Sequence, residues 1–466
     1  MPDHILFLTG KLAEKNLHKV LTSMGDLPFT YTVHQIGVSV AALMTAEMIA
    51  RRLTDKMGAT KIIVPGRCRG DLTILQNKFN IPVERGPDEL KDLPQYFGRK
   101  AIALDMSKYD VLIFAEIVEA PQISVEQILA RARAYKNDGA DVIDLGCLPS
   151  TPFPHLADAV KALKAEGYKV SVDSMETENF ICGGKAGADY LLSLNEHTVW
   201  VADEVASTPV LIPAQPGDMA SLERAMQAMQ SKGRAFFADA ILDPIHFGLT
   251  DSIVRYSALR KKFPDVQIMM GIGNLTELTD ADTTGINAIL MGIISELHIN
   301  AVLATQVSGH ATRAVREADI ARRIMFATRE SNSLPKGVSD QLLSLHERKP
   351  FPDTPAEIAE LASLVKDPSF RIQIGADGIH VYNRDGHYIA KDAFDLFEHL
   401  KVEADGSHAF YLGVEIARAQ IAFELGKRYV QDEQLDWGAA VEKKAQDMDE
   451  YKAAGSTLSH KLRGLT

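Results

Sequence analysis

Gly139-Ala-Asp-Val-Ile-Asp-Leu-Gly146 and Tyr168-Lys-Val-Ser-Val-Asp-Ser174 share one pattern, a short apolar run that ends close to an acidic residue. A helix-length stretch separates the two segments. This pattern is typical of parallel strands joined by a helix, with Asp144 and Asp173 near the carboxyl ends of their strands. In a (β/α)8 barrel those ends form the mouth of the active site. We therefore expect a central barrel with acidic side chains at its mouth.

The same alternation of apolar runs and helix-length amphipathic stretches continues along the middle of the chain. It predicts eight strands, at residues 111–114, 142–145, 169–172, 190–194, 210–212, 235–238, 267–270 and 301–305. We assign residues 108–335 to a TIM barrel, because a domain of about 250 residues is the usual size for eight strand–helix units. An open, doubly wound sheet is the alternative, since the same alternating units build it.

A small α/β domain is predicted for residues 1–107, ahead of the barrel. Its expected strands are 4–8, 29–33 and 61–64, and 40–53 has helical periodicity. Two arginines and two glycines in the turn Pro65-Gly66-Arg67-Cys68-Arg69-Gly70-Asp71 suit an anion-binding site. A solvent-exposed turn explains the same residues.

An α+β domain is predicted for residues 350–466. The pairs Asp377-Gly378 and Asp385-Gly386 indicate β-hairpins, and 409–430 has the pattern of a long helix. The fold class is thus α/β, a central barrel flanked by two smaller domains. The histidines of this last domain lack metal-ligand spacing, and we expect them on the surface; they are His380, His387, His399 and His408.

The composition excludes several classes of partner. The chain has 466 residues with a formal net charge of −12, so a nucleic acid or an anionic membrane is an unsuitable partner. Three widely spaced cysteines predict buried free thiols in a reducing compartment. The chain shows neither a long apolar run nor the charged-then-apolar start of a signal peptide, which predicts a cytoplasmic protein.

Carboxylates and amides follow several of the predicted barrel strands, namely Asp173, Asn195, Asp243 and Asn274. A carboxylate accepts two parallel N–H bonds from an amidine-like edge, and an amide both donates and accepts. A pocket of this kind suits a planar heterocycle such as a pterin. Mg²⁺ is a competing ligand for the same oxygens. Helix capping at the turns after the strands is a further explanation of the acids, above all for Asp144.

Four segments make the middle of the chain resemble the pterin-binding barrel of dihydropteroate synthases and methyltetrahydrofolate-dependent methyltransferases. Residues 139–146, 170–174 and 186–195 resemble the second, third and fourth synthase strands, and 242–249 resembles the Asp-Pro-Gly-Phe-Gly segment. The three-part layout is similar to the dihydropteroate synthase-like proteins of methylotrophs and methanogens, which are associated with tetrahydromethanopterin.

This resemblance implies a transferase of one-carbon metabolism that acts in tetrahydromethanopterin biosynthesis. It would condense 6-hydroxymethyl-dihydropterin pyrophosphate with a ribofuranosyl-aniline phosphate, an aryl amine, and release pyrophosphate. A homodimer is implied too. The residues implied to contact the pterin are Asp144, Asp173, Ser193, Asn195, Asp243 and Asn274, of which Asp173, Asp243 and Asn274 are the implied catalytic residues.

The chain departs from the synthase pattern where the pyrophosphate binds. It lacks the Asn that holds Mg²⁺ after the first strand, so Glu116 or Glu119 would have to hold the metal. The Arg after strand two, the Lys after strand seven and the Arg-x-His of strand eight are missing as well. The cations left to bind phosphate are Arg67, Arg69, Lys185, His310 and Arg313.

Two other functions remain open. The segment Gly273-Asn274 resembles the methyltransferase arm, where an Asn contacts the pterin, and favours a methyl-pterin-binding methyltransferase. The chain lacks an evident corrinoid-binding motif. The scarcity of cations favours instead a non-catalytic subunit that binds a pterin or organises a complex.

Overall fold

The structure, a computed structural model, describes residues 3–99 and 104–442 of the chain. Two compact units are present, Met1–Ser107 with Ala327–Val338, and Lys108–Phe326 with the chain from Ser339 onward. The borders predicted for the three domains stay predictions. Within the described residues no helix is both long and apolar enough to span a membrane.

The first unit is built on a four-stranded parallel sheet with the strand order β2-β1-β3-β4. Helix α1 packs on one face of the sheet, and helices α2 and α3 pack on the other. The elements are β1 (Asp3–Thr9), α1 (Glu14–Ser23), β2 (Phe29–Gln35), α2 (Ala46–Arg52), β3 (Lys61–Val64), α3 (Thr73–Phe79), β4 (Val83–Arg85) and α4 (Leu93–Tyr96).

The helix predicted over 40–53 is shorter than expected. The Thr45 side chain accepts a hydrogen bond from the Met48 N–H, and this cap starts α2 at Ala46. The residues ahead of it form only a single 3₁₀ turn, Ala41–Leu43.

Eight parallel strands close into a barrel in the second unit, which confirms the predicted fold and excludes the open sheet. Closure is made by the pairing of β12 with β5. The strands are β5 (Leu112–Ile117), β6 (Val142–Gly146), β7 (Lys169–Asp173), β8 (Tyr190–Leu194), β9 (Thr208–Leu211), β10 (Phe237–Ala238), β11 (Gln267–Gly271) and β12 (Ala301–Ala304).

Helices alternate with these strands and cover the outside of the barrel. Their apolar faces join the outward-facing strand residues in one large core. The helices are α5 (Val125–Asn137), α6 (Leu156–Ala165), α7 (Thr177–Ala186), α8 (Val201–Glu204), α9 (Met219–Ser231), α10 (Leu249–Lys262), α11 (Gly273–Thr276), α12 (Thr283–Glu296) and α13 (Ala314–Glu330).

The inside of the barrel changes character along its axis. Side chains alternate between the two faces of a strand, so every second residue points inward. The lower interior is apolar, with the rings of Phe114, Tyr190 and Phe237 in mutual contact. Two residues further along β5, the inward position is Glu116, and the interior there becomes polar.

A three-stranded antiparallel sheet lies in the C-terminal part of the second unit, and it confirms both predicted hairpins. The long helix ends at Leu425 rather than at residue 430, because the next residue, Gly426, takes a left-handed conformation (φ +60°) that terminates it. The elements are α14 (Pro355–Leu364), β13 (Arg371–Gly375), β14 (Gly378–Asn383), β15 (Gly386–Ala390), α15 (Phe394–Leu400) and α16 (Gly406–Leu425).

Two side-chain environments differ from the predictions. His380 is fully buried, with its ring nitrogens 2.8 Å from Asp377 Oδ1 and 2.9 Å from His387 Nε2, because β14 is the central strand of its sheet. The prediction of a surface histidine was therefore wrong at this position. All three cysteines are free thiols, but Cys182 on α7 is exposed rather than buried.

Candidate active site

Strand register places the predicted acids on the inner face of the barrel. Glu116 of β5 lies beside Asp144 of β6, and Asp144 lies beside Ser171 of β7. Asp173, two residues beyond Ser171, shares the same face and lies beside Gly146. The acidic side chains therefore converge at the carboxyl ends of three adjacent strands.

The three carboxylates form a compact cluster. One oxygen each from Glu116, Asp144 and Asp173 lies within 4.8 Å of the other two. Asp144 is fully buried; its Oδ1 accepts a hydrogen bond from the Ser171 hydroxyl, and its Oδ2 is buried without a partner. A buried oxygen of this kind costs free energy unless a donor or a cation reaches it. The cluster is thus prepared for a ligand that supplies positive charge or N–H groups.

Asp173 is held in place by a neighbouring strand. Its Oδ1 accepts a hydrogen bond of 3.1 Å from the Ser193 hydroxyl. Ser193 has a positive φ of 83°, a conformation that non-glycine residues rarely adopt. This strained backbone lies at an irregularity in the register between β8 and β9. It is also the point from which the Ser193 side chain reaches Asp173.

Burial raises the pKa values of all three acids, and repulsion from neighbouring carboxylates adds to the shift for Glu116 and Asp144. Burial raises the pKa of Asp173 to about 6, although the Ser193 bond opposes the shift. Burial, with Asp173, Glu119 and Glu277 nearby, raises the pKa of Glu116 to about 8. Burial and the charges of Asp173 and Glu116 also raise the pKa of Asp144. At neutral pH and without a cation, Asp173 is therefore the ionised acceptor of the cluster.

Gly146 leaves room for the Glu116 carboxylate. A Cβ at this position would lie 2.6 Å from Glu116 Oε1. A larger residue at the end of β6 would therefore displace the Glu116 carboxylate from its present position. The glycine is thus part of the site, a role that its place as the last residue of a strand does not reveal.

A second group of polar residues follows β10. Asp243 Oδ2 accepts hydrogen bonds from Arg255 Nη2 at 2.6 Å and from the Ser252 hydroxyl at 3.1 Å. Arg255 lies on α10 and also donates to the carbonyls of Ala240 and Ile241. It therefore fixes the loop and one side of the Asp243 carboxylate. Arg255 was not predicted from the sequence, because it stands on a helix 12 residues beyond Asp243.

Asp239 is another acid of this region, and it was not among the predicted site residues. It directly follows β10 and accepts hydrogen bonds from the Tyr256 hydroxyl at 2.5 Å and the Ile241 N–H at 2.7 Å. Burial raises the pKa of Asp239 to about 6. Its position right after a barrel strand was the available signal.

The two predicted amides have partners of their own. Asn274, on α11, donates from Nδ2 to the Leu242 carbonyl at 2.7 Å and so ties the end of β11 to the Asp243 loop. Asn195, directly after β8, accepts a hydrogen bond from the His197 N–H through Oδ1. Asn274 thus joins the Asp243 group, and Asn195 stabilises its own turn.

The end of β12 adds two more buried polar atoms without partners, Thr305 Oγ1 and Gln306 Oε1. The next residues, Val307 and Ser308, donate their N–H groups to Glu277. Buried polar atoms without partners are thus found directly after β12 as well as on β6.

The two predicted metal ligands, Glu116 and Glu119, do not belong to one group of side chains. Glu116 belongs to the acidic cluster, whereas Glu119 pairs with Arg131 at 2.9 Å. The cluster fits a hard divalent cation, because it offers oxygen ligands only and one of them, Asp144 Oδ2, is buried without a partner. Glu116, Asp144 and Asp173 are the residues that could hold such an ion.

The predicted phosphate-binding cations lie in several places. Arg67 pairs with Glu89 at 3.3 Å and, like Arg69, belongs to the first unit. Lys185 is in the last turn of α7, next to the amino end of β8, which is the side of the barrel opposite the mouth. Arg313 lies 3.6 Å from Asp138. Among the described residues, no ion pair joins a cation to Glu116, Asp144 or Asp173.

Comparison with known proteins gives one relative along nearly the whole chain. The protein is 26% identical to the uncharacterized protein MJ0107 of Methanocaldococcus jannaschii, over 92% of this chain and 98% of the relative. Residues 3–88 match a family of unknown function, DUF6513.

Solved dihydropteroate synthases are similar to part of the chain. The enzyme from Vibrio fischeri is 15% identical with a TM-score of 0.38, covering 49% of this chain and 99% of that one. The Yersinia pestis enzyme, solved with a pterine-sulfa conjugate, is 17% identical with a TM-score of 0.38, covering 50% of this chain and 97% of that one. Likeness at this level carries no weight for the reaction.

Proposed function

We propose that this protein binds a pterin at the mouth of its barrel and catalyses a dihydropteroate synthase-like condensation. The substrates would be 6-hydroxymethyl-dihydropterin pyrophosphate and an aryl amine of the ribofuranosyl-aniline phosphate type. The observation that carries the proposal is the cluster of Glu116, Asp144 and Asp173, with one carboxylate oxygen buried and unpartnered. The pathway, tetrahydromethanopterin biosynthesis, rests on the sequence resemblance alone.

Asp173 is the proposed anchor of the pterin. Its pKa of about 6 leaves it ionised at neutral pH, so it can accept the paired N–H groups of the pterin 2-amino and ring nitrogen. The Ser193 hydroxyl fixes its orientation before the ligand arrives. Preorganisation of this kind improves affinity, because little side-chain freedom is lost on binding.

Asp243 is the proposed second contact with the pterin. Arg255 and Ser252 occupy its Oδ2, and among the described residues Oδ1 receives no hydrogen bond. Oδ1 is therefore the oxygen available to a ligand. Asn274 steadies the same loop through the Leu242 carbonyl.

The reaction would break the bond between the pterin methylene carbon and the pyrophosphate oxygen. The bonding pair leaves with pyrophosphate, the amine lone pair forms the new C–N bond, and the nitrogen then loses one proton to solvent. A divalent cation bound by Glu116 and Asp144 would supply positive charge against the departing oxygens. The protein's own task is to hold the pterin so that the methylene faces the amine.

Pyrophosphate release tests the proposal. We expect release with Mg²⁺ only when the pterin pyrophosphate and the ribofuranosyl-aniline phosphate are both present, with p-aminobenzoate as the comparison amine. Asp173→Asn should lower the rate by a factor on the order of a hundred or more. Asp203→Asn is the matched control, because Asp203 pairs with Lys232 on the surface. Absence of release with either amine rejects the condensation.

A second candidate function is pterin binding without pyrophosphate chemistry, as in a methyl-pterin-binding methyltransferase or a binding subunit. It is favoured by the ion pairs of the described residues, none of which brings a cation to the acidic cluster. Developing negative charge on a leaving pyrophosphate needs preorganised positive groups. Tight pterin binding without pyrophosphate release would support this candidate.

A further inference from the structure

The sheet of the first unit has a cavity at its carboxyl edge. The cavity has a volume of about 690 Å³, within the range of small-molecule sites. It lies between the segment after β1 and the segment after β3, and its lining includes Thr9, Leu12, Gly66 and Arg67. The proposed pterin chemistry makes no use of this cavity.

The strand order explains why the sheet opens at this point. From β1 the chain passes to β2 on one side, and from β3 it passes to β4 on the other. The segments that follow β1 and β3 therefore diverge and leave a crevice between them. In open α/β sheets, ligands bind in such a crevice outside the carboxyl ends of the strands.

Two glycines show that the neighbouring segments are tightly closed. A Cβ on Gly10 would lie 2.7 Å from the Ala41 nitrogen, so the segment after β1 packs directly against the segment after β2. A Cβ on Gly66 would lie 2.4 Å from the Pro87 oxygen, so the segment after β3 packs directly against the segment after β4. The crevice between the two closed pairs is thus a consequence of the topology.

The walls of the cavity are mainly apolar. Leu12 projects at its edge with 67% of its surface exposed, and Leu17 and Leu93 are buried further in. Val20 and Leu90 complete this side. A ring system or short hydrocarbon body would gain free energy by covering these side chains.

Two features of the cavity lining can attract an anion, the N-terminus of α1 and the side chain of Arg67, although the carboxylates of Asp88 and Glu89 line it as well. Helix α1 has ten residues and no side-chain cap, and both Ala13 and Asn16 at its N-terminus line the cavity. The Arg67 guanidinium also lines it, and its pairs with Glu89 and Asp88, at 3.3 and 4.0 Å, are exposed. Exposed pairs of this length are weak, so Arg67 can exchange them for a ligand anion.

We propose that this cavity binds a small molecule with an apolar, ring-bearing body and a single anionic group. The body would lie against Leu12, Leu17 and Leu93, and the anion would lie between Arg67 and the N-terminus of α1. The site is separate from the barrel mouth and does not depend on the proposed condensation.

Two fluorescent probes test the proposal on the full chain. 8-Anilinonaphthalene-1-sulfonate carries the apolar rings and one anion, and N-phenyl-1-naphthylamine has the same rings without the anion. We expect one saturable sulfonate site whose affinity falls about tenfold in Leu12→Glu. Leu43→Glu is the matched control, because Leu43 is also 67% exposed and does not line the cavity.

Arg67→Gln separates the anion from the apolar body. This substitution should lower the affinity for the sulfonate probe about fivefold or more and leave the affinity for the uncharged probe unchanged. Equal sulfonate affinity in wild type and Leu12→Glu, or equal losses in Leu12→Glu and Leu43→Glu, overturns the cavity site. If Arg67→Gln changes the affinities for both probes equally, the proposal that Arg67 binds the anionic group is overturned. Circular dichroism of each variant identifies any loss of fold.

Discussion

Arg255 Nη2 lies 2.6 Å from Asp243 Oδ2, and both side chains are largely buried beside the barrel mouth. The pair turns one carboxylate oxygen toward the protein and leaves the other for a ligand. Arg255 is thus a positioning residue for Asp243 in the proposed pterin site.

Removing Arg255 should release the Asp243 loop. We expect Arg255→Gln to weaken pterin affinity by about tenfold, because Asp243 loses its charged partner and the loop loses bonds at Ala240 and Ile241. Fluorescence titration with a dihydropterin measures the effect. Arg255→Lys should restore part of the affinity, since a cation returns without the forked geometry. Unchanged affinity in Arg255→Gln would remove Asp243 from the site.

The acidic cluster should destabilise the fold at high pH when no metal is bound. The pKa of Glu116 rises from 4.5 to about 8 and that of Asp173 from 3.8 to about 6. Below about pH 3.5 these acids are mostly protonated in both states, whereas above about pH 8 the folded state must hold buried charges that the unfolded chain holds in water. Stability from these groups is therefore lost as the pH rises through that window.

Glu116→Gln tests this pH dependence. In EDTA at about pH 8.5 the variant should be more stable than wild type by an amount on the order of 1–3 kcal/mol, and the gain should be small near pH 4.5. Urea unfolding at both pH values measures the difference. A gain of the same size at both pH values would show that ionisation of the buried Glu116 carboxyl is not its cause.

Mg²⁺ should bind at the same cluster. We expect Mg²⁺ to raise the melting temperature of the wild type, because a ligand that binds only the folded state stabilises it. Asp144→Asn should abolish most of the increase, and Asp203→Asn should retain it. An increase of equal size in Asp144→Asn would place the ion elsewhere.

Gly146 gives a steric test of the same site. Gly146→Ala places a Cβ 2.6 Å from Glu116 Oε1, so Glu116 must move and the stabilisation by Mg²⁺ should fall. Gly292→Ala is the control, since a Cβ there meets nothing within 4 Å and alanine favours the helix. Equal metal responses of the two variants would show that Glu116 is not a ligand.

Arg322 should be the main electrostatic support of the barrel's other end. Its side chain is 1% exposed, bonds Asp141 Oδ2 and the Val111 carbonyl at 2.5 Å each, and lies 3.5 Å from the Tyr109 ring. Arg322→Met leaves Asp141 without its charged partner and should lower the free energy of unfolding by about 3–5 kcal/mol. Thermal or urea unfolding measures the loss, and a change below about 1 kcal/mol contradicts the assignment.

The barrel could be predicted from sequence because its signal is local. Each strand is an apolar run, each acid follows or ends its own run, and the spacing to the next run has the length of a helix. Asp144 and Asp173 could be placed at one mouth on this basis alone. The shortest strand, Phe237–Ala238, was also located, although the prediction extended it to 235.

What the sequence could not reveal are the partners contributed by other elements. Ser171 and Ser193 hold Asp144 and Asp173 from adjacent strands, and their effect depends on register. Arg255 reaches Asp243 from the next helix, after a turn in which His246 and Gly248 have positive φ angles that the sequence does not reveal. His380 was predicted to be exposed, but it is buried because it lies on the middle strand of a sheet, a position that the local sequence does not indicate.

The most direct test of a pterin site at the barrel mouth is the equilibrium affinity for a dihydropterin as a function of pH, measured by calorimetry. We expect one site per chain, with affinity that falls as the pH drops through about 6, where Asp173 takes up a proton. In Asp173→Asn the affinity should be at least about tenfold lower and nearly independent of pH. Wild-type affinity in Asp173→Asn, or no binding by the wild type, would contradict a pterin site at this mouth.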